Sequence, residues 1–213
     1  VRGLVVPGGK SYSRGQFDKL MDIAKKGGAK GLVWVKQDDA GEWQSPASKF
    51  LSADKFKMLY AAAKATPQDA LLIVADDFEP ACSALSALRL HLGRELKLID
   101  TTVDRFLWVV DFPLLEYSPD DKRWVARHHP FTSPKDECFD DLLQGREANY
   151  GQMLAKAYDL VCNGYEIGGG SIRIHRNEIQ QAMFRTLGMT AEETELKFGF
   201  FLEALRYGTP PHG

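Results

Sequence analysis

Strong charge of either sign is missing from this chain of 213 residues: 27 Lys and Arg against 29 Asp and Glu leave a formal net charge of −2. A nucleic acid therefore meets no global electrostatic pull, and any contact with phosphate has to be local. Cysteine is scarce too. Cys82, Cys138 and Cys162 are odd in number and show no Cys-x-x-Cys spacing, which argues against a disulfide framework and a zinc cluster and fits a reducing compartment. No apolar run approaches the length of a membrane span and no signal peptide opens the chain, so no membrane partner is expected and the cytoplasm is the default location. Nothing points to disorder, since 44% hydrophobic and 26% charged residues suit a globular chain of one or two domains.

What is present is a regular alternation of elements. Residues 4–6 read as a short strand, and Ser13 with Gln16 three positions on forms a capping box. The helix it opens places Phe17, Leu20, Met21 and Ala24 on one face and stops at Gly27-Gly28. A strand at 32–35, a helix at 54–64 with Phe56, Leu59, Tyr60 and Ala63 inward, a strand at 71–74 and a helix at 81–92 striped by Leu85, Leu88 and Leu92 follow. The pattern predicts a small α/β-layered unit over 1–96, its boundary lying in the charged connector at 93–102. Over 97–213 the strands come at 107–112 and 124–128, and two helices follow. One is opened by Asn177 with Gln180, carries Ile179, Met183 and Leu187 and stops at Gly188; the other is opened by Thr190 with Glu193 and runs to about Leu205. The fold class expected is α+β.

The most informative stretch is 163–175, where an acid and a guanidinium flank a glycine run. Residues 157–162 alternate as a strand, and Asn163-Gly164 signals a two-residue hairpin with positive φ at both turn positions. In that register Cys162 faces Tyr165, Val161 faces Glu166 and Asp159 faces Gly168, so Asp159 and Glu166 share a face as diagonal neighbours. Two carboxylates on one surface repel unless a cation sits between them, and a hard divalent ion bridging to phosphate is one occupant; a solvated sheet face is the other reading. Arg173 is an odd number of residues from Glu166 and belongs to the opposite face unless one extra residue intervenes. Gly168, Gly169 and Gly170 are the predicted place for that β-bulge, and ladder pairing unbroken through them removes the argument. His128 and His129, if extended, point to opposite faces and do not ligate one ion together; His91, alone on a helix, reads as structural.

Residues 165–175 resemble the active-site strand of bacterial-type aspartyl-tRNA synthetases, enzymes of class II, and other segments agree in order. They are Trp108-Val109-Val110-Asp111-Phe112-Pro113, His128-His129-Pro130-Phe131-Thr132-Ser133-Pro134-Lys135-Asp136, Lys197-Phe198-Gly199-Phe200 and Tyr207-Gly208-Thr209-Pro210-Pro211-His212-Gly213. Residues 2–9 and 28–32 resemble the GAD-type domain that these enzymes carry inserted in their catalytic domain. The resemblance implies an insertion domain at 1–96 joined to part of the class II antiparallel sheet with flanking helices at 97–213. The family's anticodon-binding barrel and its three signature motifs have no counterpart here, and the expectation is an excised fragment that is inactive alone.

The same resemblance implies an aspartate–tRNA ligase as parent, with ATP and Mg²⁺ as cofactors. Its partners are L-aspartate, ATP and tRNA-Asp, with tRNA-Asn left open, and it is expected to be a homodimer. The α-carboxylate of aspartate attacks the α-phosphate of ATP, and the aspartyl group then passes to the tRNA 3′ end, so positioning and charge neutralisation matter more than acid–base work. Carried over, Glu166 holds ATP phosphates and Mg²⁺ with Asp159 as its partner in metal binding, Arg173 clasps the side-chain carboxylate of aspartate, and His128 also contacts aspartate, its protonated form coupling binding to a proton. Two other readings stand beside this one. Residues 1–95 are a non-catalytic module that contacts the tRNA acceptor region, or the chain belongs to a paralogue that makes asparagine from aspartate and ammonia, against which the insertion domain argues.

Overall fold

Residues Ala70–Val74 are all buried, the pattern of a strand covered on both faces, and the first half of the chain is organised around them. The structure, a computed structural model, describes every residue except Pro211. It is α+β and separates into two compact units, Val1–Thr101 and Thr102–Gly213.

The first unit runs β1 (Arg2–Val6), α1 (Arg14–Lys26), β2 (Val33–Gln37), β3 (Trp43–Gln44), α2 (Ala53–Ala63), β4 (Ala70–Val74) and α3 (Phe78–Glu95). The strands form one antiparallel sheet in the order β1-β4-β2-β3. Alternation along β4 sends Leu72 and Val74 to one face, where Phe17, Leu20 and Ala24 of α1 and Ala84, Leu88 and Leu92 of α3 cover them. Leu71 and Ile73 go to the other face, against Phe56 and Tyr60 of α2. The Ser13–Gln16 capping box forms as expected. After α3 the chain turns back on itself: Lys97 takes a φ of 53° and the Leu98 amide donates to the Gly93 carbonyl (2.9 Å). That helix stop keeps residues 96–99 with the first unit, so the division falls at Thr101, later than residue 96.

The second unit runs β5 (Phe106–Val110), β6 (Leu115–Ser118), β7 (Arg123–Ala126), α4 (Phe139–Leu143), β8 (Ala157–Cys162), β9 (Tyr165–Ser171), α5 (Asn177–Thr186) and α6 (Ala191–Arg206). Strands β5, β8 and β9 make an antiparallel sheet in that order, and β6 pairs only with β7. The strand expected at 124–128 is therefore a hairpin arm outside the main sheet, because Arg123–Ala126 pairs with a strand that the sequence pattern did not reveal. Ile179, Ala182 and Met183 of α5 are buried with Leu142 of α4, Met153 and Ile174. Each large apolar side chain so buried stabilises the unit by about 1.5–3 kcal/mol.

Two local expectations are corrected. The Asn177–Gln180 capping box does not form: Asn177 is the first helical residue, and its amide donates to the Leu202 carbonyl (2.7 Å), tying α5 to α6. A tertiary partner has outcompeted the local one. The Thr190–Glu193 box at the start of α6 does form. The bulge is also displaced. Pairing runs unbroken through Gly168, Gly169 and Gly170, and the register shifts before them, between Leu160 and Val161 of β8, with Ile167 of β9 left over. Cys162 faces Tyr165 and Val161 faces Glu166 as expected, but Asp159 faces Gly169 in place of Gly168.

Candidate active site

The hairpin turn places the first acid. Asn163 and Gly164 take φ of 52° and 88°, as a tight turn between twisted strands requires, and Asn163 Oδ1 accepts from the Arg105 amide at the start of β5 (2.9 Å). Glu166 follows on β9, and the extra residue Ile167 then reverses the alternation. A Cβ built on Gly169 would overlap Asp159 Oδ1 and stand 3.1 Å from Glu166 Oε1. Both carboxylate oxygens therefore lie within 3.1 Å of one point above a residue with no side chain. Asp159 is half-buried and Glu166 exposed. Among the described residues neither has a hydrogen-bond or ion-pair partner.

This pair fits a hard divalent cation by the chemistry of its donors: two unshared carboxylates with a glycine floor between them. Among the described residues no group of three or more His, Cys, Asp or Glu side chains is gathered to hold an ion. Two carboxylates leave most of an octahedral shell open, which suits an ion that keeps water and substrate phosphate oxygens as ligands.

Arg173 reaches the same face. With Ile167 as the inserted residue, Gly169, Ser171 and Arg173 alternate onto the carboxylate side, and the Arg173 guanidinium donates to Ser171 Oγ. Pairing runs unbroken through the glycines, so a bulge there no longer supports the shared face; a different irregularity, at Ile167, turns Arg173 onto this face. Past β9 the strand is held from both sides: the Ser133 amide donates to the Ile172 carbonyl (2.8 Å), the Ile174 amide to the Phe131 carbonyl (2.8 Å) and the Arg173 amide to the His212 carbonyl (2.7 Å). Arg173 lines a cavity of about 320 Å³ with Phe131, Phe198, Phe200, Phe201 and His212.

The histidine pair divides in an unforeseen way. His128 is exposed and meets Phe112 edge-on, ring centroids 5.1 Å apart. His129, half-buried, is the one beside Arg173: burial, then the Arg173 charge, then His128 hold its pKa below the ordinary imidazole value. Its backbone carbonyl accepts from the Thr132 amide (3.2 Å) across a turn with Pro130 at the second position, where a fixed φ is favourable. Gln180, fully buried on α5, donates to the Pro130 carbonyl (2.9 Å) and anchors that turn. Thr132 and Ser171 are both buried and 3.4 Å apart through their hydroxyls. His129 was weighed in the sequence only as a metal ligand, and Thr132 and Ser171 were given no role; the His-Pro-x-Thr turn was the available signal.

The carboxylate pair over Gly169 and the arginine on the same face belong to an antiparallel sheet in an α+β chain, and comparison with known proteins shows its family. The profile of the family described as tRNA synthetases class II (D, K and N) matches residues 10–213, and the chain belongs to that family. It is 50% identical over all 213 residues to the aspartate–tRNA(Asp/Asn) ligase of Caldanaerobacter subterraneus, of which it covers 35%. It is 53% identical over 203 residues to that of Syntrophotalea carbinolica, covering 33%, and 46% identical over 213 residues to the aspartate–tRNA ligase of Ruminiclostridium cellulolyticum, covering 35%. The resemblance to bacterial aspartyl-tRNA synthetases is thus established, and the chain spans about a third of the length of these relatives. No described helix is long and apolar enough to cross a membrane.

Proposed function

We propose that this chain supplies the aspartate clamp and the phosphate-side carboxylates of an aspartate–tRNA ligase, which activates L-aspartate with ATP and transfers it to tRNA. The observation that carries the reading is the convergence of Asp159 and Glu166 over Gly169 with Arg173 on the same face, in a chain whose relatives are named aspartate–tRNA(Asp/Asn) ligases. In this reading residues 1–96 are the GAD-type insertion domain and 97–213 part of the catalytic domain.

The nucleophile is the α-carboxylate of aspartate, already charged, so no general base is required. Its oxygen forms a bond to the α-phosphorus of ATP as the bond to the bridging oxygen breaks, giving aspartyl-adenylate and pyrophosphate. Arg173 takes the side-chain carboxylate in its planar fork, two parallel N–H donors against two acceptor oxygens. Asparagine turns a donor toward one of those donors, and selectivity follows. Asp159 and Glu166 would hold Mg²⁺, which supplies neutralisation of the phosphate oxygens. His128, exposed and beside Phe112, is assigned a second contact to aspartate.

The test is aspartate-dependent pyrophosphate exchange in the full-length synthetase carrying this segment. Arg173→Lys is expected to lower kcat/KM for aspartate by orders of magnitude, and a near-normal value overturns the clamp. The 213-residue chain alone is expected to show no exchange. A second reading, that the first unit is a separate tRNA-acceptor module, is tested by binding of an acceptor-stem RNA to residues 1–101.

A further inference from the structure

We propose that His129, Thr132 and Ser171 form a hydrogen-bond relay that holds the Arg173 guanidinium in place, with a neutral, Nε2-protonated His129 at its origin. The inference rests on Arg173 being the carboxylate clamp and adds three positioning residues behind it. Each link pairs a group able to donate with one able to accept. The Phe131 amide donates to His129 Nδ1 (3.2 Å), so Nδ1 carries a lone pair and the ring proton is on Nε2. Nε2 faces Thr132 Oγ1 at 3.4 Å and donates to it. Thr132 then has its own single proton free for Ser171 Oγ, also at 3.4 Å. Ser171 Oγ, a hydroxyl oxygen with two lone pairs, accepts from Thr132 on one side and from Arg173 on the other. No step is left with donor facing donor; the Thr132–Ser171 link alone also works in reverse, because Thr132 Oγ1 has lone pairs for both its neighbours.

Burial makes the relay matter. Thr132 and Ser171 are 1% and 5% exposed, so water does not replace a missing partner, and an unpaired hydroxyl there is costly. The relay also disfavours the protonated imidazole, in the same direction as burial and the Arg173 charge. A proton on Nδ1 would point at the Phe131 amide and set a second cation beside Arg173; the groups facing the ring are Arg173 and His128, both basic. Protonation of His129 at Nδ1 breaks the contact with the Phe131 amide and sets a second cation beside Arg173, which links the clamp to pH.

The experiment has a spectroscopic and a kinetic arm. Long-range ¹H–¹⁵N spectra of the ¹⁵N-histidine-labelled chain at pH 7 are expected to show His129 as the Nε2–H tautomer. A ring found protonated on Nδ1, or doubly protonated, overturns the relay. In the full-length synthetase, Thr132→Val, which keeps shape and removes the hydroxyl, is expected to raise KM for aspartate roughly tenfold, the scale of losing one hydrogen bond, with KM for ATP unchanged. Thr132→Ser is expected to restore it, and Ser171→Ala to behave as Thr132→Val. An unchanged KM for aspartate in both Thr132→Val and Ser171→Ala overturns the relay. Arg173→Lys separates the two levels of the argument. If it is impaired while both hydroxyl variants are normal, the relay alone fails; if it too is normal, the clamp fails.

Discussion

Asp159 stands opposite Gly169 across the β8–β9 ladder, and its carboxylate oxygen occupies the space that a side chain at 169 would fill. The glycine thus leaves room for an acid on the neighbouring strand. Gly168, one residue earlier, has nothing within 4 Å of its would-be Cβ. The two positions make a matched pair. In the full-length synthetase Gly169→Ala is expected to displace both carboxylates and reduce aspartate-dependent pyrophosphate exchange roughly 10²-fold, the scale of a 1 Å misplacement at a reacting centre. Gly168→Ala is expected to leave exchange within a few-fold of the parent. Equal effects at the two positions, measured with the far-ultraviolet spectrum unchanged, would sink the assignment of the carboxylate pair.

That contrast marks how far the sequence could be read. The turn at Asn163-Gly164, the pairing of Val161 with Glu166 and the shared face of the two acids were legible because side-chain alternation and turn chemistry are local rules. The bulge was assigned to the glycines because glycine accepts irregular backbone, yet Ile167 is the residue left over. Its exposure explains why a large apolar side chain is tolerated there. Asn177 looked like a cap and became a cross-link to Leu202, a partner 25 residues away that no local pattern displays. His129 was weighed only as a metal ligand with His128, and its tie to Arg173 was missed for the same reason: it runs through Thr132 and Ser171, which lie 39 residues apart in the chain. Strands β3 and β6, two and four residues long, were too short for periodicity to reveal.

Helix capping gives a second prediction, on stability. Thr190 accepts from the Glu193 amide and the Glu193 carboxylate accepts from the Thr190 amide, so Thr190→Ala is expected to destabilise the second unit by about 1 kcal/mol. Asn177→Asp keeps a capping-type residue but removes the donor to Leu202, and it is expected to destabilise the unit as well. Urea unfolding followed by circular dichroism checks both. An Asn177→Asp variant as stable as the parent would show that the Leu202 contact contributes little.

In the first unit the tyrosines predict an alkaline transition. Tyr12 is pushed up to about 12 by burial and by its hydrogen bond to Glu95, whose charge adds to the effect. Tyr60 is pushed up to about 12 by burial and by the Asp69 charge, and its hydroxyl donates to the Val35 carbonyl (2.9 Å). Both folded values lie above the ordinary 10, so the folded state keeps protons that the unfolded chain has lost. The resulting stabilisation is complete below pH 10 and disappears as pH rises from 10 to 12. The melting temperature of the unit is expected to fall across that window, and less steeply in Tyr12→Phe. Tyrosinate absorbance that rises fully near pH 10 in the native chain would contradict the burial argument.

The last prediction concerns β5, an edge strand that exposes Phe106, Leu107, Trp108 and Val110 at 62%, 54%, 60% and 55%. An apolar edge with unpaired backbone groups on its outer side is a template for another strand, and patches of this kind are normally covered. Among the described residues the one aromatic partner of Trp108 is Tyr158, edge-on at 5.9 Å, and Tyr158 in turn lies over Gly170. The 213-residue chain is therefore expected to associate as its concentration rises, which sedimentation velocity or light scattering detects. Trp108→Lys places a charge on the exposed apolar face without touching Asp159, Glu166 or Arg173, because alternation puts residue 108 on the opposite side of the sheet. It is expected to reduce association while leaving the thermal transition of the first unit unchanged. A sharp monomer for the parent chain at high concentration would mean that this surface is less adhesive than its exposure implies.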